Sequence, residues 1–134
     1  MEAGLYESID LNDQANAIGD RLKEQSPETF QDFFLLGNNE RVRFFTESAL
    51  GNFELALRKK PGDFWTQHHL ALCHLKLGHH RAALAYLTNC ISQRPDIAWV
   101  RMQRGLCHLE MRDYKSALAE FNEAEKKDPN LFHV

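Results

Sequence analysis

Apolar residues recur along the chain at the spacing of amphipathic helices, and prolines interrupt them at a constant interval. Pro27, Pro61, Pro95 and Pro129 are each 34 residues from the next. Between successive prolines the pattern predicts two helices, at about 28–39 and 46–60, 63–76 and 80–93, and 97–110 and 114–127. A period of this length predicts a stacked-repeat protein, in which each unit buries its apolar face on its neighbours.

Superposing the three units on this period shows which positions require a particular kind of residue. Two rows hold small residues, namely Gly37, Ala71 and Gly105, and Ala49, Ala83 and Ala117. Another row holds large apolar residues, namely Phe53, Leu87 and Phe121. Small and large residues that alternate on facing helices interdigitate, so we expect the two helices of each unit to pack closely.

The two ends of the chain continue the pattern without completing it. Residues 11–27 have one apolar helical face and are predicted to be the helix of a preceding half-repeat. We divide a single domain, 1–134, into this half-repeat, three repeats at 28–61, 62–95 and 96–129, and the start of a further helix at 130–134. Because stacked repeats need polar caps, we expect a fragment of a longer protein, or an end that another subunit covers by self-association.

Composition and charge exclude several classes of protein. The 134 residues carry a net charge of −3 with both signs interspersed, which is untypical of nucleic-acid binding or membrane-surface binding. No apolar run is long enough to span a bilayer, and the acidic start does not resemble a signal peptide. Three cysteines without framework spacing favour a reducing, cytoplasmic location.

The aligned small residues, the large apolar row and the closing prolines together resemble the tetratricopeptide repeat family. The third unit, AWVRMQRGLCHLEMRDYKSALAEFNEAEKKDP, matches the family pattern best. The resemblance covers residues 28–131 and implies an all-α, right-handed superhelix of three helix-turn-helix repeats after a half-repeat. Gln67, Arg101 and Arg104 depart from the pattern, since the family favours aromatic residues or leucine there. The string RPDIAWVRMQRG also resembles the repeat tails of some bacterial serine/threonine kinases.

The resemblance implies that the first helix of each unit lines a concave wall. On that wall Trp65, Leu72, Trp99 and Leu106 stand where water alone would favour polar residues. We therefore predict a groove that binds an extended peptide or a helix of a partner protein. Its predicted lining is Phe34, Asn38, Arg41, Trp65, His68, His69, Leu72, Trp99, Met102, Gln103 and Leu106.

Two interpretations of the tryptophans stay open at this point. Trp65 and Trp99 are either anchors in the groove or packing residues between neighbouring repeats. For Leu72 and Leu106 the pattern favours the groove.

One activity of the family can be compared with this predicted wall directly. Members that clamp the C-terminal carboxylate of chaperones use lysine, asparagine and arginine there, and only Asn38 matches that set. The other places hold Phe34, His69, Trp99 and Gln103. We therefore expect an apolar or mixed ligand instead of a chaperone carboxylate.

Histidine and cysteine are the residues whose chemistry needs an explanation. His69 and Cys73 are four residues apart, so one helix face could offer both to zinc. However, Cys73 and Cys107 are one period apart, as are His74 and His108, and repeat packing accounts for them. We predict no metal and no cofactor. The sequence also has no nucleophile–base set and no phosphate loop, so we predict no enzyme activity.

These patterns predict a non-catalytic protein–protein interaction module that binds a protein or peptide on its concave face. The alternative is a regulatory or scaffolding part of a larger signalling enzyme, such as a serine/threonine kinase. Neither nucleic acid nor membrane insertion is expected, and no residue identifies the partner.

Overall fold

A computed structural model of the protein describes residues 27–132. They form six helices, α1 (Phe30–Val42), α2 (Thr46–Lys59), α3 (Phe64–Lys76), α4 (His80–Gln93), α5 (Ala98–Glu110) and α6 (Tyr114–Lys127). These pair as three helix-turn-helix hairpins, α1–α2, α3–α4 and α5–α6, and α4 also packs on α5. No strand occurs between residues 27 and 132, so the predicted all-α fold is confirmed. The predicted half-repeat helix at 11–27 lies almost wholly outside the described residues.

The hairpins fall into two compact units. The first unit ends at Pro61 and contains α1–α2, and the second begins at Gly62 and contains α3–α6. This division coincides with the predicted boundary between the first and second repeats.

Side chains cap the first helix of two hairpins. Thr29 begins α1 with a capping box, in which its hydroxyl accepts from Asp32 N–H at 3.1 Å and the Asp32 carboxylate accepts in return from Thr29 N–H. Asp63 accepts from Thr66 N–H at 3.0 Å at the start of α3. Such caps satisfy amide groups that the helix itself leaves without partners, typically stabilising it by about 1 kcal/mol. The caps therefore set where the first helices of two repeats begin.

Every hairpin turn contains one residue in the left-handed conformation. These residues are Phe44 (φ 64°), Gly78 (φ 79°) and Arg112 (φ 63°), each 34 residues from the next. In each turn the following N–H donates to the carbonyl five residues back, as His79 does to His74 at 2.8 Å. This closes the first helix of each repeat with a Schellman motif.

The predicted end of α1 at about residue 39 is wrong, because the helix continues to Val42. Asn39 and Glu40 have the polarity of turn residues, yet both are buried. The Glu40 carboxylate accepts a hydrogen bond from the Asn52 amide of α2. A partner on the facing helix therefore keeps this polar stretch helical.

Close packing within the hairpins confirms the predicted rows of small and large residues. A Cβ built on Gly37 would lie 3.0 Å from the Phe53 ring, and one built on Gly105 would lie 2.7 Å from the Phe121 ring. Where the middle repeat has Ala71, the residue in the large apolar row is the smaller Leu87. Each repeat thus matches the volume of its small residue to that of its large one.

One cluster of buried residues forms the core of the second unit, and it joins the middle and last hairpins. It consists of Phe64, Ala71, Leu87, Cys90, Ile91 and Val100. Fully burying side chains such as Leu87 or Val100 stabilises the fold by about 1.5–3 kcal/mol each. Half-buried Leu75, Ile97 and Trp99 pack against this cluster from its edge.

Among the helices between residues 27 and 132, none is long and apolar enough to cross a bilayer.

Candidate functional site

The two tryptophans lie together on the first helices of the middle and last repeats. Trp65 is the second residue of α3, Trp99 is the second residue of α5, and their rings stack 6.2 Å apart with 19° between their planes. Trp99 packs against the core, whereas Trp65 is 45% exposed. The pair therefore combines both interpretations of the sequence, since Trp99 supports the repeat interface and Trp65 presents its ring to solvent.

His68 fixes the position of this aromatic pair. It is buried, and its ring meets the Trp99 ring edge-on at 4.7 Å between centroids. Its Nε2 lies 2.9 Å from Oε1 of Gln103, so the imidazole N–H donates to the amide oxygen. A hydrogen bond and two aromatic contacts thus hold α3 and α5 in one arrangement, which preorganises the exposed Trp65 surface.

Arg94 adds a cation to the same place. Its guanidinium lies over the Phe64 ring, 4.5 Å from the centroid, and 5.8 Å from the Trp65 centroid. Cations prefer the negative face of an aromatic ring, so this contact holds the side chain beside Trp65. Sequence reasoning missed Arg94 because it directly follows α4 and does not lie on a first helix. The available signal was its position directly before Pro95, between two helices, from which a long side chain can reach a neighbouring helix.

The other predicted residues of the second unit lie along the same two helices. The His69 ring is 5.6 Å from that of His68, and Leu72 is half-buried. Met102 and Leu106 line a separate apolar pocket of about 510 Å³, with Phe121, Glu125 and Phe132 as its other walls. The second unit thus presents the tryptophan pair near the start of α3 and α5, and a pocket farther along α5.

The predicted residues of the first unit make contacts within their own hairpin. Arg41 donates to the Asn38 side-chain oxygen at 3.3 Å. The Phe34 ring stacks on Phe30 and meets Phe53 of α2 edge-on, both at 5.7 Å. Phe34 therefore contributes to the packing of α1 on α2.

Two of the polar departures from the family pattern share one partner. Arg104 of α5 donates from both Nε and a terminal nitrogen to the Glu120 carboxylate of α6. Arg101 approaches the other oxygen of the same carboxylate at 3.9 Å. These arginines stand where the family favours apolar residues because Glu120 faces them. The sequence already contained this signal, because Glu120 occupies the position that Asn52 and Tyr86 hold in the other two repeats.

The histidines and cysteines make contacts specific to their places in the fold. His74 Nδ1 lies 3.2 Å from His79 Nδ1, and His80 Nε2 lies 2.7 Å from a Glu110 oxygen. Between residues 27 and 132, no three His, Cys, Asp or Glu side chains are grouped to hold a metal ion.

All three cysteines are buried. Burial raises the pKa of the Cys90 thiol to about 11, and burial together with the nearby Glu110 carboxylate raises the pKa of Cys107. Both thiols are therefore protonated at neutral pH, which makes them poor nucleophiles.

Comparison with known proteins agrees with this architecture. The sequence model of the tetratricopeptide repeat matches residues 66–97, which span most of the middle repeat. The middle repeat therefore matches the family that its sequence resembles, and the three hairpins have the helix-turn-helix architecture that this resemblance implied. No curated protein sequence matches the chain.

Solved structures share the fold at low sequence identity. The crystal structure of YrrB, "a TPR protein with an unusual peptide-binding site", is 17% identical with a TM-score of 0.83, covering 96% of this chain. The chain spans 66% of YrrB, slightly less than two thirds. MamA is 18% identical, with a TM-score of 0.78 and coverage of 93% of this chain and 73% of its own. The first TPR of Spaghetti, bound to an HSP90 peptide, is 12% identical with a TM-score of 0.72, covering 78% of this chain and 82% of its own.

Proposed function

We propose that the protein is a non-catalytic interaction module that binds a peptide or helix of a partner protein on its first-helix face. The observation that carries this proposal is the exposed Trp65 ring, held in place by Trp99 and His68. Tryptophans in prearranged, partly desolvated surfaces contribute a large share of binding energy at protein interfaces. Leu72 lies on the same helix as Trp65, and Met102 and Leu106 offer the separate apolar pocket farther along α5. The capture of peptides by YrrB and Spaghetti, which share the fold, supports this class of ligand.

The main binding surface in this proposal lies on α3 and α5. His69 and Gln103 complete the surface there, while Phe34, Asn38 and Arg41 of α1 remain predicted contributors. A cytoplasmic location and attachment to a larger signalling enzyme likewise remain predictions from the sequence.

The test is affinity capture from cells of the source organism, followed by mass spectrometry. Trp65→Ala removes the exposed ring, and Tyr114→Ala is the control because it removes another exposed aromatic residue, from the start of α6. We expect the partner to be lost with Trp65→Ala and retained with Tyr114→Ala, with helical circular dichroism unchanged in both variants. The same partner set for Trp65→Ala and wild type would contradict the proposal.

Self-association is a second candidate, which the last hairpin favours. Leu118 is 61% exposed and Leu109 is 43% exposed, although both belong to rows that are better covered in the middle repeat. Sedimentation velocity should detect dimers at high protein concentration, and the double variant Leu109→Ser/Leu118→Ser should reduce them. Wild-type protein that stays monomeric at these concentrations would exclude this candidate.

A further inference from the structure

Charge is distributed very unevenly along the chain. The chain has 16 Lys and Arg residues and 19 Asp and Glu residues, yet residues 64–109 contain five basic residues and a single acid, Asp96. Helices α3 and α4 lie inside this stretch and contain no acidic residue. Asp96 itself lies 3.6 Å from the Lys127 ammonium group. The helix that carries Trp65 therefore belongs to a locally basic part of a chain that is acidic overall.

The cations of this stretch differ in whether they already have an anionic partner. Arg101 and Arg104 share the Glu120 carboxylate. For the Arg94 side chain, the contacts described within residues 27–132 are those with the Phe64 and Trp65 rings, and they include no hydrogen bond or ion pair of the guanidinium. A guanidinium that rests on an aromatic face keeps the N–H groups of its edge available to a carboxylate. Arg94 thus offers a planar fork directly beside the exposed tryptophan.

We propose that the segment bound at this surface is acidic, with an Asp or Glu side chain that pairs with Arg94. An apolar side chain next to that carboxylate packs on Trp65. This inference rests on the proposed function and defines the chemistry of the ligand. The side-chain carboxylate of an internal segment is favoured over a chain terminus, because only Asn38 represents the lysine–asparagine–arginine set that clamps a terminal carboxylate.

The first unit provides an internal control for this arrangement. Lys60 occupies the position of Arg94 one period earlier, and its ammonium group lies over the Phe30 ring at 5.0 Å. The residue after Phe30 is Gln31, whereas the residue after Phe64 is Trp65. A cation on the phenylalanine therefore recurs in the repeat, and the exposed tryptophan beside it distinguishes the middle repeat. Lys60→Gln changes the net charge by the same amount as Arg94→Gln and leaves the proposed contact with Arg94 intact.

The experiment is selection of binders from a random dodecapeptide library displayed with blocked C-termini. The full-length chain is the bait, with Arg94→Gln, Arg94→Lys, Lys60→Gln and Trp65→Ala as variants. Selected peptides are then titrated against the intrinsic fluorescence of the chain, whose two tryptophans both lie at the site. Each selected peptide is also made with every Asp and Glu replaced by Asn and Gln.

We expect peptides enriched in Asp or Glu next to Leu or Phe, and those without tryptophan are used for the titrations. Their affinity should fall about tenfold with Arg94→Gln, less with Arg94→Lys, and hardly at all with Lys60→Gln. Raising the salt concentration should weaken binding, because the paired charges lie at the surface. The amide-substituted peptides should bind the wild-type chain with about the same affinity as the acidic peptides bind the Arg94→Gln variant.

The failure of this inference is distinguishable from that of the proposed function. Neutral or basic peptides that bind through Trp65 and ignore Arg94 would overturn the acidic ligand and leave the binding surface in place. Equal losses with Arg94→Gln and Lys60→Gln would reduce the effect to net charge and would also overturn the inference. If none of the selected peptides depended on Trp65, the proposed function itself would be overturned.

Discussion

The middle hairpin, α3–α4, and the last hairpin, α5–α6, follow the same register and differ in what covers them. In the middle hairpin Leu87 is fully buried, and Leu75 packs against the core that α5 completes. In the last hairpin Phe121 is half-buried and Leu109 is 43% exposed, although they occupy the same positions. A repeat thus encodes its own hairpin contacts, while burial of Leu75 or of its counterpart Leu109 depends on a neighbouring repeat.

The largest effect on stability is expected when Gly105 of the last hairpin is replaced by alanine, the residue that the middle hairpin has at the same position. Gly105→Ala places a Cβ 2.7 Å from the Phe121 ring and should destabilise the protein by about 1–3 kcal/mol in urea unfolding. The double variant Gly105→Ala/Phe121→Leu recreates the Ala71–Leu87 pair and should recover part of that loss.

The matched control is Gly51→Ala in α2, where a built Cβ meets nothing within 4 Å. It should stabilise by about 0.5–1 kcal/mol, because alanine is the better helix former. Equal responses at Gly51 and Gly105 would contradict the close packing of the last hairpin.

The next largest difference between the two hairpins is expected when Leu75 and its counterpart Leu109 are truncated. Leu75→Ala should cost about 2 kcal/mol, since its side chain packs on the core, and Leu109→Ala should cost less than about 1 kcal/mol. Thermal unfolding of both variants at one low protein concentration measures the difference. If Leu109→Ala cost as much as Leu75→Ala, something would have to cover the last hairpin in solution.

The turns of the two hairpins should respond in opposite directions to mutation. Gly78 and Arg112 both adopt a left-handed backbone, which strains every residue with a side chain. Gly78→Ala should therefore destabilise by roughly 1 kcal/mol, and Arg112→Gly should stabilise by roughly 0.5–1 kcal/mol. The free energy of unfolding in urea is the measurement. Changes of the same sign would mean that the Arg112 side chain makes a contact that outweighs its strain.

The smallest effect concerns the start of the second helix in each hairpin. Asp113 caps α6 by accepting from Ser116 N–H, whereas His79 gives α4 no side-chain cap. The hydrogen bonds of the Ser116 side chain and backbone lower the pKa of Asp113 below its ordinary value of 3.8. A lowered pKa in the folded state means that the stabilisation is present above pH 3.8 and is lost as pH falls through the folded value. Asp113→Ala should therefore lower the melting temperature slightly at pH 7, and its difference from wild type should shrink as the pH falls below 3.8. A difference that stays constant over this range would contradict the role of the ionised carboxylate.

Much of the site could be anticipated because helical periodicity assigns residues to faces. The resemblance places the first helices on one wall, and periodicity assigns Trp65, His68, Trp99 and Gln103 to its open face. The structure brings all four side chains together. Arg94 could not be found in this way, because its side chain reaches the site from the end of α4. Phe34 was assigned to the groove by the same rule, yet aromatic neighbours in its own hairpin draw it into their packing.

The sequence by itself determined the repeat, since a 34-residue period of prolines, small residues and large apolar residues is compatible with few other folds. It also determined the volume match within each hairpin, because those partners recur at constant separation. Only the tertiary structure decided how the tryptophans divide their roles, with Trp99 on the core and Trp65 toward solvent. It likewise decided that Arg101 and Arg104 are paired while Arg94 rests on aromatic rings. The physical reason is that exposure and charge pairing depend on side chains from other helices, whose approach the period of one helix does not specify.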